Sequence, residues 1–344
     1  MFHPEQKLFC YRLKRAPQGL IKDGNSFRYT VITLLGLHRA ESAGLAHSFD
    51  TRIIFGDLIS DTRKIDNAGD WGLLLWLSAL YSPEELPLLT LRAWLDTLLD
   101  RFQDVRECRT MELAWVLAAL AHMRLADVTG VGDFSPLAFR TYGLLIKNQS
   151  AEGIFGHQAP GKSYAGKLRG RLGSFADQVY PVYALSKFAQ AWGVDEAVGR
   201  ARKCADSLCR LQGSMGQWWW HYDSASGRVV GKYPVFSVHQ DGMAPMALFA
   251  LSEVSGADYR APVYRGLEWI YGANELGVAL RDFSASTIWR CIGQNRLKRY
   301  SIEALCLAGM PHLPGRLEVL YECRPYHLGW LLYAFAACEK DETQ

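Results

Sequence analysis

The chain has 344 residues, of which 49% are hydrophobic, and 38 Lys and Arg stand against 35 Asp and Glu for a formal net charge of +3. That near-balance excludes the clustered basic footprint of a nucleic-acid binder, and no apolar run reaches the roughly 18 residues that a membrane-spanning helix requires. Gly and Pro are scattered without a low-complexity tract or linker-like run, so residues 1–344 are expected to form a single domain around one large core, a size common in repeat-built rings.

The opening stretch, MFHPEQKLFCYRLKRAPQ, lacks the apolar core of a signal peptide. Eight cysteines occur with no CxxC pair. Together these features predict a cytoplasmic protein with reduced thiols and no zinc site. The basic runs at 12–15 and 296–299 read as solvated surface.

From there on, apolar residues recur mostly at helical spacing and alternating β-branched runs are few, which predicts an all-α chain. One type of helix recurs, with a polar first turn and a small apolar body. In chain order it begins at Arg28, Asp70, Thr110 (with Glu112), Asp177, His239, Ser301 (with Glu303) and His327, giving about seven candidate inner helices. Segments 91–102 and 195–211 alternate with them and carry charged outer faces, as outer helices do.

The clearest internal repeat lies within 145–248. Gln149 and Gln212 are 63 residues apart, and so are the pairs Ala184-Leu185 and Ala247-Leu248. Each unit reads as helix, Gly-containing turn, long loop and second helix. The pattern predicts an α/α toroid, a barrel of about six to seven helical hairpins; a plain helical bundle is the alternative.

A ring gathers the N-termini of its inner helices at one end of a shared cavity. The residues at or just inside those starts are Arg28, Asp70, Glu112, Asp177, Gln178, His239, Gln240, Asp241, Glu303 and His327. Helix N-termini stabilise carboxylates, so each acidic member is either a cap or a member of a convergent site. In the second case Asp241 and Asp177 are the acid–base candidates, His239 positions substrate or shuttles a proton, and Glu112 and Glu303 are further catalytic carboxylates. Asp241 is then expected in a partly dry pocket beside His239, Gln240 and the tryptophan loop, with its pKa raised.

The loop 217–223 holds Trp218, Trp219 and Trp220, followed by Tyr222. Three adjacent tryptophans cannot all point into a core from one element, so this loop either forms a stacking platform or packs beneath its neighbours. Arg290 follows Trp289 in a second aromatic cluster and is expected at the rim, where Gln178, Gln240, Arg28, Asp70 and His327 complete the substrate-binding candidates. Segment 156–173, Gly-rich with Lys162, Lys167, Arg169 and Arg171, reads as a surface loop or as a flap over an anionic substrate. No phosphate loop, GxGxxG, HExxH or GxSxG is present, so no cofactor and no metal is expected.

Gln212-x-x-x-Gly216-x-Trp218 resembles the QW motif of the terpenoid cyclase and protein prenyltransferase β-subunit superfamily, and Gln149-x-x-x-Gly153-x-Phe155 resembles a weaker copy. The resemblance covers roughly residues 140–250. It implies an α/α toroid in which the motif ends an outer helix and an inner helix follows after a loop. The chain departs from class II cyclases, which carry an acidic DxDD motif; here Val238-His239-Gln240-Asp241 holds one Asp. It also lacks a recognisable Asp, Cys and His zinc set of the prenyltransferase type. The polar-lined ring is similar in architecture to six-hairpin glycosidases and related sugar epimerases and lyases, which place carboxylates at inner-helix starts beside aromatic platforms.

The expected function is therefore a carbohydrate-active enzyme, a hydrolase, lyase or epimerase acting on a glycan or small molecule. One alternative is a terpenoid-cyclase-like enzyme in which Asp241, hydrogen-bonded to His239, is the lone acid and tryptophans shield carbocations. The other is a non-catalytic binding or scaffold toroid. The cavity lining separates them: several carboxylates favour sugar chemistry, an apolar cavity with one acid a cyclase, and a filled centre a scaffold.

Overall fold

A computed structural model describes residues 1–62, 65–81, 88–101, 108–159, 170–294 and 315–336. Its helices in chain order are α1 (Phe27–Ser42), α2 (Thr51–Ser60), α3 (Ala68–Tyr81), α4 (Leu88–Arg101), α5 (Thr110–Leu125) and α6 (Ser135–Ile146), then α7 (Ala176–Trp192), α8 (Asp195–Leu211), α9 (Ala244–Ser255), α10 (Arg260–Ile270) and α11 (Pro325–Phe335). A π-helical turn, His239–Met243, leads into α9.

Two kinds of helix follow from two kinds of sequence. The segments of α3 and α5 are apolar almost all round, and α3 buries every residue except Leu80; such helices must be enclosed. By contrast α8 buries one stripe, Ala197, Ala201, Cys204, Ala205 and Leu208, and exposes its charges. The enclosed helices form a ring: α1 packs on α3, α3 on α5, α5 on α7, α7 on α9, α9 and the π-turn on α11, and α11 back on α1. The closing seam is glycine-lined. A Cβ on Gly36 would run into the backbone of Gly329, and one on Gly329 would meet the Ile32 carbonyl oxygen at 2.6 Å. Six inner helices complete this α/α toroid among the described residues, and the candidate helix containing Glu303 lies outside them.

The strands are short and collect at one end of the ring. Strands Gly19–Asn25, Leu172–Ser174, Val235–Phe236 and Glu322–Cys323 each run directly into an inner helix or the π-turn. The strand Leu8–Ala16 pairs with Gly19–Asn25 as a hairpin and with Glu322–Cys323, which ties the two ends of the ring together. This hairpin departs from the all-helical expectation. Its first strand buries only Phe9, Cys10 and Leu13, too few for a clear alternation. The basic run 12–15 is likewise not simply solvated: Arg12 binds Asp23 and Glu322 at 2.7 Å each, and the Arg15 guanidinium lies 4.6 Å from the rings of Trp289 and Tyr321.

The repeated glutamines do the same work twice. Gln149 Nε2 donates to the Gly153 and Arg200 carbonyls at 3.1 and 2.9 Å; Gln212 Nε2 donates to the Gly216 and Pro262 carbonyls at 3.0 and 2.9 Å. Each side chain thus closes its own turn and fastens it to the next outer helix, α8 or α10. No described helix is long and apolar enough to cross a membrane. Among the described residues, Cys10, Cys204, Cys209 and Cys323 carry free thiols.

Candidate active site

The first turns of the inner helices surround a cavity of about 210 Å³. Its walls are aromatic, with Tyr29, Trp115, Tyr180, Trp220, Phe236 and Tyr326, and its polar members are Arg28, Ser174, His239 and Arg290. The floor is solid. Tyr180 Oη accepts from Trp330 Nε1 at 2.9 Å. Beneath that contact Trp76 packs against Tyr183 and Tyr333 with ring centroids 5.0 and 5.5 Å apart. The hydroxyls of Tyr183 and Tyr333 meet at 2.6 Å, and His122 Nε2 lies 2.8 Å from the first of them. An aromatic layer therefore fills the lower half of the ring and leaves a bowl open at the strand-bearing end.

The carboxylates expected to converge there divide into two groups. Asp70, on α3, receives Arg28 through Nε at 2.5 Å and Nη2 at 3.2 Å, and Asn67 Nδ2 at 2.8 Å. Glu112, on the adjacent α5, lies beside that cluster and is flanked in sequence by the cavity residues Met111 and Trp115. Its pKa is raised, chiefly by burial and further by Asp70, against the pull of Arg109 and Arg28. Asp177 turns the other way. It accepts from the backbone N–H and the hydroxyl of Ser174 at 2.9 and 2.8 Å, and its Oδ2 lies 3.1 Å from His157 Nδ1. Asp241 is buried in the ring wall, with Oδ1 2.7 Å from His327 Nε2. Its partner is thus His327 and not the expected His239. Burial opposes charge on His327, but Asp241 outweighs it and the pKa is raised to about 10. No carboxylate is among the described residues that line the cavity itself, and Glu303 lies outside the described residues.

His239 does line the cavity, packed on Phe175 and Phe236 with centroids 4.5 and 5.2 Å away. Burial lowers its pKa to about 3, so the imidazole is neutral, and its Nδ1 is buried without a hydrogen-bond partner. Arg290 faces the cavity with its guanidinium 5.1 Å from the Phe236 ring. Its Nη1 has no hydrogen-bond partner, and the Glu322 carboxylate is 3.9 Å away.

Of the tryptophan loop, only Trp220 reaches the cavity. Trp218 is buried against Phe175, and Trp219 donates to the Leu211 carbonyl at 2.9 Å with Lys232 over its ring. Tyr222 is fully buried. Gln178 and Gln240 are buried as well, and their amides hold backbone: Gln178 Oε1 accepts from Phe155 N at 2.8 Å, and Gln240 Oε1 from Trp218 N at 3.2 Å. These three aromatics and two glutamines therefore build the wall behind the cavity and do not face into it. Asp70 and His327 also act through partners, Arg28 and Asp241.

The aromatic wall was missed from sequence, although a signal for it exists. Tyr29 and Tyr326 adjoin Arg28 and His327, while Trp115 and Tyr180 lie three residues beyond Glu112 and Asp177, which is the same helix face one turn on.

No family model and no curated protein matches the chain. Solved structures do. One described as an unsaturated glucuronyl hydrolase specific for heparin superposes with a TM-score of 0.64 at 12% identity, covering 98% of this chain and 94% of that one. A glycosyl hydrolase family 88 protein from Bacteroides vulgatus gives 0.58 at 12%, covering 91% of each. A D-mannose isomerase gives 0.50 at 11%, covering 80% of this chain and 86% of that one. At these identities the likeness is one of fold: the chain has the α/α-toroid architecture of the six-hairpin glycosidases.

Proposed function

We propose that this protein is a carbohydrate-active enzyme that acts on a terminal sugar unit bearing a carboxylate, with Glu112 as its acid–base group. The observation that carries this reading is that Glu112 and Asp70 lie on adjacent inner helices around Arg28, which lines the aromatic bowl: Asp70 binds that guanidinium, and both act on the charge of Glu112. The two carboxyls have different surroundings: Asp70 is held by Arg28 and Asn67, whereas burial raises the pKa of Glu112. Neighbouring carboxyls in unlike environments are how acid and base roles are divided. Glu112 can deliver a proton to the substrate and accept one back from water. Asp70 fixes Arg28, whose guanidinium lies 5.3 Å from the Trp115 ring in the wall.

Aromatic walls suit the apolar faces of a sugar ring, and Arg290, which lines the cavity with the Glu322 carboxylate no nearer than 3.9 Å, offers a charge-assisted anchor for a carboxylate. Two of the matching structures are described as an unsaturated glucuronyl hydrolase and a family 88 glycosyl hydrolase, which supports the choice of substrate class. The cyclase alternative loses its acid, because Asp241 is joined to His327 in the wall.

The test is turnover of unsaturated glucuronyl disaccharides, followed by loss of the ultraviolet absorbance of the ring double bond. Glu112→Gln should lower kcat by about 10²- to 10⁴-fold while the protein stays folded. No turnover by the wild type, or undiminished turnover by the folded variant, refutes the assignment.

His239 favours a second reading. A neutral imidazole in the cavity wall can move a proton between adjacent carbons of an open-chain sugar, and one matching fold is described as a D-mannose isomerase. Deuterium uptake from D2O into an aldose, abolished by His239→Asn, would select isomerisation over hydrolysis.

A further inference from the structure

The two repeat units share their ends but not their interior. In the first, Gln178 clamps Phe155 and Ala184 follows six residues later; in the second, Gln240 clamps Trp218 and Ala247 follows seven residues later. The Ala-Leu pairs are buried in neighbouring inner helices. One additional residue therefore lies between two fixed points in the second unit. The backbone takes it up as the π-turn His239–Met243, where α7 runs as continuous α-helix. Such turns are uncommon and concentrate at functional sites.

The π-turn carries chemistry on two sides. Outward from the cavity, Asp241 Oδ1 meets His327 Nε2 at 2.7 Å, while Asp241 Oδ2 is buried without a hydrogen-bond partner. Gly242 lets α11 approach, since a Cβ there would meet Trp330 Cβ at 3.0 Å. Toward the cavity, His239 sits among Phe175, Phe236 and Trp220. Counted from the clamping glutamines, the counterpart of His239 in the first unit is Asp177, which is engaged by Ser174 and His157. A buried ion pair with one oxygen unsatisfied contributes less to stability than apolar packing would. The added residue and the buried ion pair thus fall on the single turn that bears the cavity histidine.

We propose that the π-turn and its Asp241–His327 pair form a positioning device that presents the His239 imidazole to the substrate. Asp241 and His327 are positioning residues that do not touch the substrate; the inference rests on the cavity being the active site, for either chemistry above. Two full-length variants test it. Deleting Gly242 restores the six-residue spacing of the first unit, and the double substitution Asp241→Leu with His327→Leu removes the pair while keeping the wall apolar. Histidine side chains are followed by ¹⁵N NMR, and turnover is measured with the unsaturated glucuronyl disaccharide and with D-mannose. The expected result is a folded protein whose His239 resonances move and whose kcat falls by about 10²-fold. Adding His239→Asn should then cause no further loss, since the residues act as one unit. Unmoved His239 resonances in either folded variant, or fully additive losses, overturn the proposal. Should the wild type turn over neither sugar, the functional reading fails, and the resonances decide the positioning claim alone.

Discussion

Glu112, His239 and His327 give the sharpest expectations at the scale of single residues. Because folding raises the pKa of Glu112, its ionised form is disfavoured in the native state above the ordinary carboxyl pKa. Glu112→Gln should therefore be as stable as the wild type or more so at neutral pH, even as activity falls; a clear loss of melting temperature would mark the residue as structural instead. The histidines set opposite limbs of the pH–stability curve. Below about pH 6.5 an unfolded histidine takes up a proton, whereas His239 stays neutral down to about 3, so stability falls as pH drops through that interval. His327 keeps its proton up to about 10, so its contribution is complete below about pH 6.5 and is lost as pH rises toward 10. Each limb is worth up to about 1.4 kcal/mol per pH unit. Melting temperature measured across pH should peak near the crossing, and His327→Gln should flatten only the alkaline limb. The choice among carboxylates was partly legible. Ser174-x-x-Asp177 has the spacing of a capping box and behaves as one, and Asn67-x-x-Asp70 follows the same logic with the Asp70 N–H donating to Asn67 Oδ1 at 2.9 Å. Glu112 has no capping residue three positions before it: Arg109 makes no side-chain cap and instead donates from Nη1 to Glu112 Oε1 at 3.4 Å. Sequence could therefore have separated Glu112 from the caps, but the Asp241–His327 contact joins residues 86 apart and leaves no local trace.

At the scale of elements, the repeat was readable because its turns need particular residues. Gly216 has φ +89°, and a Cβ there would run into the Arg265 carbonyl; Gly153 has φ +86° and meets the Lys203 carbonyl oxygen at 2.6 Å. Gly216→Ala should lower stability by at least about 2 kcal/mol, since left-handed strain alone is about 1–3 kcal/mol. Gly193→Ala, at φ +67° with open space around it, is the control that carries only the strain, and equal losses in urea unfolding would show that the contact with α10 is unimportant. Gln212→Ala strips two carbonyls of their donor and should cost about 1–3 kcal/mol. What the repeat concealed was a compensating pair of changes. Gln149 to Gln178 spans 29 residues and Gln212 to Gln240 spans 28, while the following helical stretch is six residues in one unit and seven in the other. The common 63-residue offset thus matched the ends and set Gln178 against Asp241, when the hydrogen bonds set it against Gln240.

At the scale of the whole molecule, ring closure follows from six inner segments, two of them apolar almost all round, and five described outer helices with buried stripes. Periodicity, the internal repeat and the QW-like motifs together disclosed the architecture, while of the aromatic lumen, built by residues far apart in sequence, only Trp220 showed. That lumen governs how a glycan can enter. Trp76 from α3, Tyr183 from α7, and Trp330 and Tyr333 from α11 meet across the ring axis with centroids 5.0 to 6.0 Å apart. The bowl above them, about 210 Å³, is smaller than the roughly 300–1,000 Å³ of sites that enclose drug-sized ligands. A polymer cannot thread such a ring, and a bowl of this volume suits the chain end that the proposed function requires. If the proposed function holds, an unsaturated uronate-terminated polysaccharide should lose terminal units while the polymer's mean size, read by size-exclusion chromatography, barely changes early in the reaction. A rapid early fall in polymer size would mean internal cleavage and would contradict action at the chain end. The floor variant sharpens the case. Trp330 is fully buried, and Trp330→Ala should cost about 3–5 kcal/mol through the void it leaves. Yet Trp76, Tyr183 and Tyr333 still block the passage below, so the variant should melt earlier while still releasing terminal units only.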